Sequence, residues 1–171
     1  MSIDYNNPQE PAHFAALCAK IGAVVLHAQI LESSLARYLV VARHLDGTLA
    51  RDEVARSLES ADRATIGNLL NQIKANCPFT DTLANRLTEL CNERNWLVHR
   101  LCRENEMAPY LLPAAKPVFE RIERMVSLTE QIMADLDVLG DDLMRTHGFD
   151  VDEVKRRANE AMKKKFSQPG V

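Results

Sequence analysis

A chain of 171 residues with 46% hydrophobic side chains is long enough to bury one sizeable core and short for two domains of ordinary size. A net charge of −3 excludes a protein that coats nucleic acid through bulk positive charge, so any such contact must be local. Aromatic content of 5%, beside abundant Leu, Ala, Arg and Glu, disfavours strands and predicts an all-α fold.

The first helix is predicted from Phe14 onward, where Leu17, Ile21, Val25, Ala28, Leu31, Leu35, Tyr38, Leu39, Ala42 and Leu45 recur at three-and-four spacing. Gly47 is its natural stop. Arg51 to Ala61 is polar and suits a short helix, and Ile66, Leu69, Leu70 and Ile73 mark another that ends at Cys77-Pro78. Thr80 or Asp81 can cap the next helix, whose buried side is read as Leu83, Leu87, Leu90, Cys91, Leu97, Val98 and Leu101.

Pro109, Pro113 and Pro117 predict an extended connection, and Tyr110, Leu111 and Leu112 are apolar enough that it should pack against something. Val118, Ile122, Met125, Val126, Met133, Leu136, Leu139 and Leu143 then form a second long helix, with Gly148 at its C-terminal cap. Asp150 and Glu153 resemble a capping box that opens a last helix, with Val154, Ala158, Ala161, Met162 and Phe166 on one side. The other side carries Lys155, Arg156, Arg157, Lys163, Lys164 and Lys165, a charge run that suits solvent, a nucleic-acid backbone or an acidic partner. The expected architecture is an up-and-down helical bundle with two long antiparallel helices flanking shorter ones. Residues 1–12 read as a flexible segment, 13–149 as the bundle and 150–171 as a basic helix and tail.

No apolar run approaches the length needed to cross a bilayer and the N-terminus lacks a secretory layout, so the expectation is a cytoplasmic protein with no membrane partner. Cys18, Cys77, Cys91 and Cys102 form no CxxC pair; reduced thiols in or near the core are expected, with neither metal nor cofactor.

The stretch Cys91 to Arg100, CNERNWLVHR, sets polar groups into an apolar row. Arg94 falls where the periodicity asks for a hydrophobe, and an unpaired buried guanidinium is strongly unfavourable. It therefore needs a carboxylate, for which Glu32 is placed, or a cleft open to an anion. Asn95 and His99 are four apart and share a helical face. Asparagine in mid-helix suggests a hydrogen bond it must make, and histidine exchanges protons near neutral pH. Arg94 and His99 point roughly 140° apart on an ideal helix, so they converge through arginine's reach, a distorted helix or a cleft between two chains.

Arg94 through His99, RNWLVH, resembles the Arg-Asn-x-x-x-His signature of HEPN domains (higher eukaryotes and prokaryotes nucleotide-binding), many of which are metal-independent ribonucleases of toxin–antitoxin and phage-defence systems. At average residue usage the pattern with asparagine arises by chance in roughly one such chain in a hundred. The resemblance covers the motif and the helical plan around it. A tyrosine two positions past the histidine marks a subfamily modified by partner nucleotidyltransferases; Leu101 stands there instead.

What the resemblance implies is an endoribonuclease in which His99 acts as general acid or base at an RNA 2′-hydroxyl, Arg94 stabilises charge at phosphorus, and Asn95 orients the histidine or phosphate. Arg100 and Arg103 would hold the RNA backbone, and the two motifs of a homodimer would line one cleft. The products would be a 2′,3′-cyclic phosphate and a 5′-hydroxyl, and an antitoxin protein is a further expected partner. The alternative is a non-catalytic helical module that binds a nucleotide, an RNA or a protein, with Arg94 in a structural salt bridge to Glu32.

Overall fold

The computed structural model describes residues 12–61, 65–76 and 81–167; the stop at Cys77-Pro78, the capping role of Thr80 and most of the N-terminal segment fall outside them. The described residues form α1 (Ala12–Leu45), a short 3-10 turn leading into α2 (Val54–Ala61), α3 (Ile66–Asn76), α4 (Asp81–His99), α5 (Leu101–Glu104), α6 (Leu112–Thr146) and α7 (Val151–Phe166), with no strand among them. The all-α expectation holds.

α1 ends as its sequence predicts. Gly47 takes φ +75°, a conformation that costs a side-chain-bearing residue about 1–2 kcal/mol, and the Thr48 N–H folds back to the Arg43 carbonyl. Gly148, at φ +80°, ends α6 in the same way.

The prolines are a correction. Pro113 and Pro117 lie inside α6 rather than in an extended connection. Pro113 sits in the first turn, where its missing N–H would have had no intrahelical partner. Pro117 removes one bond from the second turn of a helix 35 residues long. Of the connection itself, Ala108 is buried, whereas Tyr110 and Leu111, like Leu112 at the start of α6, each remain about half exposed rather than packed.

Two apolar clusters stack along the bundle. One joins Leu31, Leu35 and Leu39 of α1 to Leu69 of α3, Leu87 and Leu90 of α4, and Ile132 and Leu136 of α6. The other joins Leu17 and Val24 to Trp96, Leu97 and Leu101, and to Val118, Ile122 and Met125. Both clusters meet α1 and α6 in the same order, Lys20 pairs with Glu123 at 2.7 Å, and at the far ends Asp46 lies 3.8 Å from His147. The two long helices therefore run parallel, not antiparallel. α4 runs against both, with Arg86 on Asp135 and Arg121 on Glu93.

Burial differs from the periodicity in places. Val24 rather than Val25 faces the core, Val98 is 56% exposed, and Trp96 is buried. Cys18 and Cys102 are exposed and Cys91 is half-buried, all three as free thiols; the expectation of core cysteines fails for the first two.

α1 also overturns the expectation about membrane-length segments. Between Ala12 and Ala36 only Lys20 and Glu32 carry a fixed charge, and an 18-residue stretch averages a hydropathy of 1.8, so the helix is long and apolar enough to cross a bilayer. Lys20, His27 and Gln29 interrupt the run, but the side chains around them are apolar enough to hold that average. A core helix meets the same criterion, but only 22% of the stretch is buried, which leaves Leu26 and Ile30 open on the outer face.

Candidate functional site

Arg94 lies on the apolar stripe that runs from Leu83, Leu87, Leu90 and Leu97 of α4 to Leu101 of α5, and faces α1. Its Nε is 3.6 Å from Glu32 Oε1, and its side chain is 34% exposed against 14% for the carboxylate. That separation exceeds a hydrogen bond. Glu32 Oε1 instead accepts the Ile66 N–H at 3.0 Å, placing a carboxylate at the start of α3, where the unsatisfied N–H groups and helix dipole favour negative charge. One carboxylate thus ties α1 to α3 and balances Arg94 in α4. The guanidinium has no other recorded partner among the described residues, so most of its donors stay available.

Arg94 and Glu32 line a small pocket with Val25, Gln29, Leu97 and Val98, about 50 Å³ in volume. Water occupies about 30 Å³ of the liquid per molecule, so this space takes one or two waters and not a nucleotide. His99 and Asn95 do not line it. Both are exposed, and neither side chain makes a hydrogen bond among the described residues, which corrects the expectation that Asn95 must be bonded. Within one chain the motif is therefore split, with Arg94 beside the α1 pocket and His99 and Asn95 on the open side of α4.

His99 closes α4. Arg100 follows at φ −124°, ψ −21°, outside helical values, and α5 resumes at Leu101. Backbone bonding persists on both sides of the break, from Arg100 N–H to the Trp96 carbonyl at 2.8 Å and from Glu104 N–H to the Arg100 carbonyl at 2.9 Å. Arg100 and Arg103 are exposed and carry no ion pair among the described residues.

A cluster that the sequence did not disclose braces this break from the opposite side. Trp96 Nε1–H donates to Glu104 Oε2 at 2.9 Å across the break. Arg121 of α6 lies over the indole, 3.7 Å from the ring centroid, and donates twice to Glu93, at 2.6 and 2.8 Å. These bonds to Glu93 hold the Arg121 guanidinium above its ordinary pKa, against the opposing effect of burial, with the charges of Glu93 and Glu104 adding to them. The available signal was Trp96, the only tryptophan, placed roughly 140° from the stripe centre. It means that α4 buries two faces, one toward α1 and α3 and the other toward α6.

Comparison with known proteins leaves the site to be read from its own geometry: no protein-family model, no curated protein and no solved structure matches the chain.

Proposed function

We propose that this protein is a metal-independent endoribonuclease that works as a homodimer, with Arg94, Asn95 and His99 of each copy contributing to a shared cleft. His99 takes the proton from an RNA 2′-hydroxyl, whose oxygen bonds to the adjacent phosphorus as the bond from phosphorus to the 5′-oxygen breaks. The leaving oxygen receives a proton from the same residue of the second copy, giving a 2′,3′-cyclic phosphate and a free 5′-hydroxyl. Arg94 offsets the charge that grows on the phosphoryl oxygens, Asn95 orients the phosphate, and Arg100 and Arg103 hold the flanking backbone.

The observation that carries this reading is the state of Arg94, a guanidinium in an apolar stripe, one-third exposed and held by a single contact at 3.6 Å. A purely structural arginine would be expected to satisfy more of its five donors. The surroundings support a second copy. Val25 and Val98, both open to solvent, rim the same pocket, and Leu26 and Ile30 extend the exposed apolar surface along α1.

One observation favours the non-catalytic reading: Glu32 joins Arg94 to the start of α3, which is a structural role. Total RNA incubated with the protein in chelator separates the two. Cleavage leaving cyclic phosphate ends, reduced at least about 100-fold in His99→Ala and in Arg94→Ala, is the expected result. Full cleavage by His99→Ala, or Arg94→Ala that unfolds while the wild-type chain leaves RNA intact, assigns the motif to the scaffold.

A further inference from the structure

α7 is a well-formed helix with almost nothing packed against it. Its start is specified locally: Asp150 Oδ1 accepts the Asp152 and Glu153 N–H groups, each at 3.1 Å, as an N-cap should. Glu153 does not complete a capping box; its carboxylate binds Arg156 and Arg157 instead. At about 100° per residue, Val151, Val154, Ala158, Ala161, Met162 and Phe166 share an arc of roughly 140°. Of these only Val151 is buried, while Val154, Met162 and Phe166 are 36%, 56% and 83% exposed.

The charge along α7 is divided. In its first half the basic side chains are neutralised within the chain, Lys155 by Asp141, Arg156 by Glu153 and Glu160, and Arg157 by Glu153. In its last turns Lys163, Lys164 and Lys165 have no acidic partner among the described residues, and in sequence they fall between Met162 and Phe166, the two most exposed apolar side chains of the helix. Six basic against three acidic residues give α7 a net +3; with −3 on the whole chain, the rest carries −6.

We infer that α7 is an anchor for anionic lipid surfaces, lying in the interface with Met162 and Phe166 inserted and Lys163, Lys164 and Lys165 on the headgroup phosphates. Three features select this occupant. Nucleic acid would use the lysines but leave the apolar arc in water. A closed protein groove would accept the arc but would have to desolvate Lys165, which falls inside it at about 320° around the helix from Val151, between Val154 and Ala158. At a lipid interface Lys165 keeps its stem among the acyl chains and its ammonium among the headgroups. The −6 on the remainder is repelled by the same surface, which leaves the contact to α7.

The test is co-sedimentation of the full chain with phosphatidylcholine vesicles, with and without 30% phosphatidylserine (about one lipid in three, as in a strongly anionic membrane). Binding is expected only to the anionic vesicles and is expected to weaken with salt. Met162→Ser with Phe166→Ser, which keeps every charge, and Lys163→Gln with Lys164→Gln and Lys165→Gln, which keeps the arc, each lower affinity at least about tenfold. Because these side chains contribute nothing to the core, both variants retain the fold, checked by circular dichroism, and retain any RNA cleavage. No binding to anionic vesicles overturns the inference. So does binding that the serine pair leaves unchanged, or a lysine variant that loses an RNA oligonucleotide while vesicle binding is unaffected.

Discussion

Glu32 shows how much one carboxylate carries. It is three-quarters or more buried by side chain, caps α3 through Ile66 and balances the guanidinium of Arg94. Glu32→Ala leaves an N–H and a cation short of a partner and is expected to lower stability by about 1–3 kcal/mol, read by urea denaturation. Glu32→Gln keeps an oxygen for Ile66 and loses only the charge, so a smaller loss is expected. If Arg94 acts on RNA, Glu32→Gln frees it and leaves cleavage intact, whereas a structural pair would show the two variants alike. The pairing was legible in the sequence because a charge in an apolar stripe demands a counter-charge. The openness of Asn95 was not, because periodicity reports the face a residue occupies and not which neighbours stop short of it: α3 covers Cys91 through Gly67 but not the turns beyond.

The helices were read well where one rule governs and less well where two compete. α1 and α6 end at glycines of positive φ, a purely local requirement that the sequence declares. Pro117 signals a break, yet the apolar pattern of Val118, Ile122 and Met125 extends the helix back through it, since three buried side chains outweigh one missing hydrogen bond. Trp96 escaped for a related reason, a helix buried on two faces having no single stripe to follow. α7 offers a pH test at this scale. Bonds from Arg156 and then Arg157 hold the Glu153 carboxyl below its ordinary 4.5. A lowered folded value means that the contribution is complete above 4.5 and is lost as pH falls through the lower folded value. Amide resonances of α7 are therefore expected to report fraying in that acidic window while those of α4 and α6 stay protected; simultaneous loss would tie α7 to the core.

In the whole molecule, the face around Arg94 is where the bundle is left open, because α2 and α3 cover only one half of α1. Val98 projects there, 56% exposed. Val98→Asp is expected to leave the melting temperature within a few degrees, since surface changes stay within about 0.5 kcal/mol, while sedimentation shows the chain shifted to monomer and cleavage falls with it. A wild-type chain that is already monomeric at working concentration would overturn the proposed shared cleft.

The parallel heading of α1 and α6 also governs how the chain meets the cell as it is made. Contacts such as Lys20 with Glu123 span 103 positions, and synthesis proceeds at about 5–20 residues per second. For roughly 5–20 seconds the greasiest helix waits on the ribosome for a companion not yet translated, so safe delivery of this protein depends on whatever shelters a nascent chain in that interval.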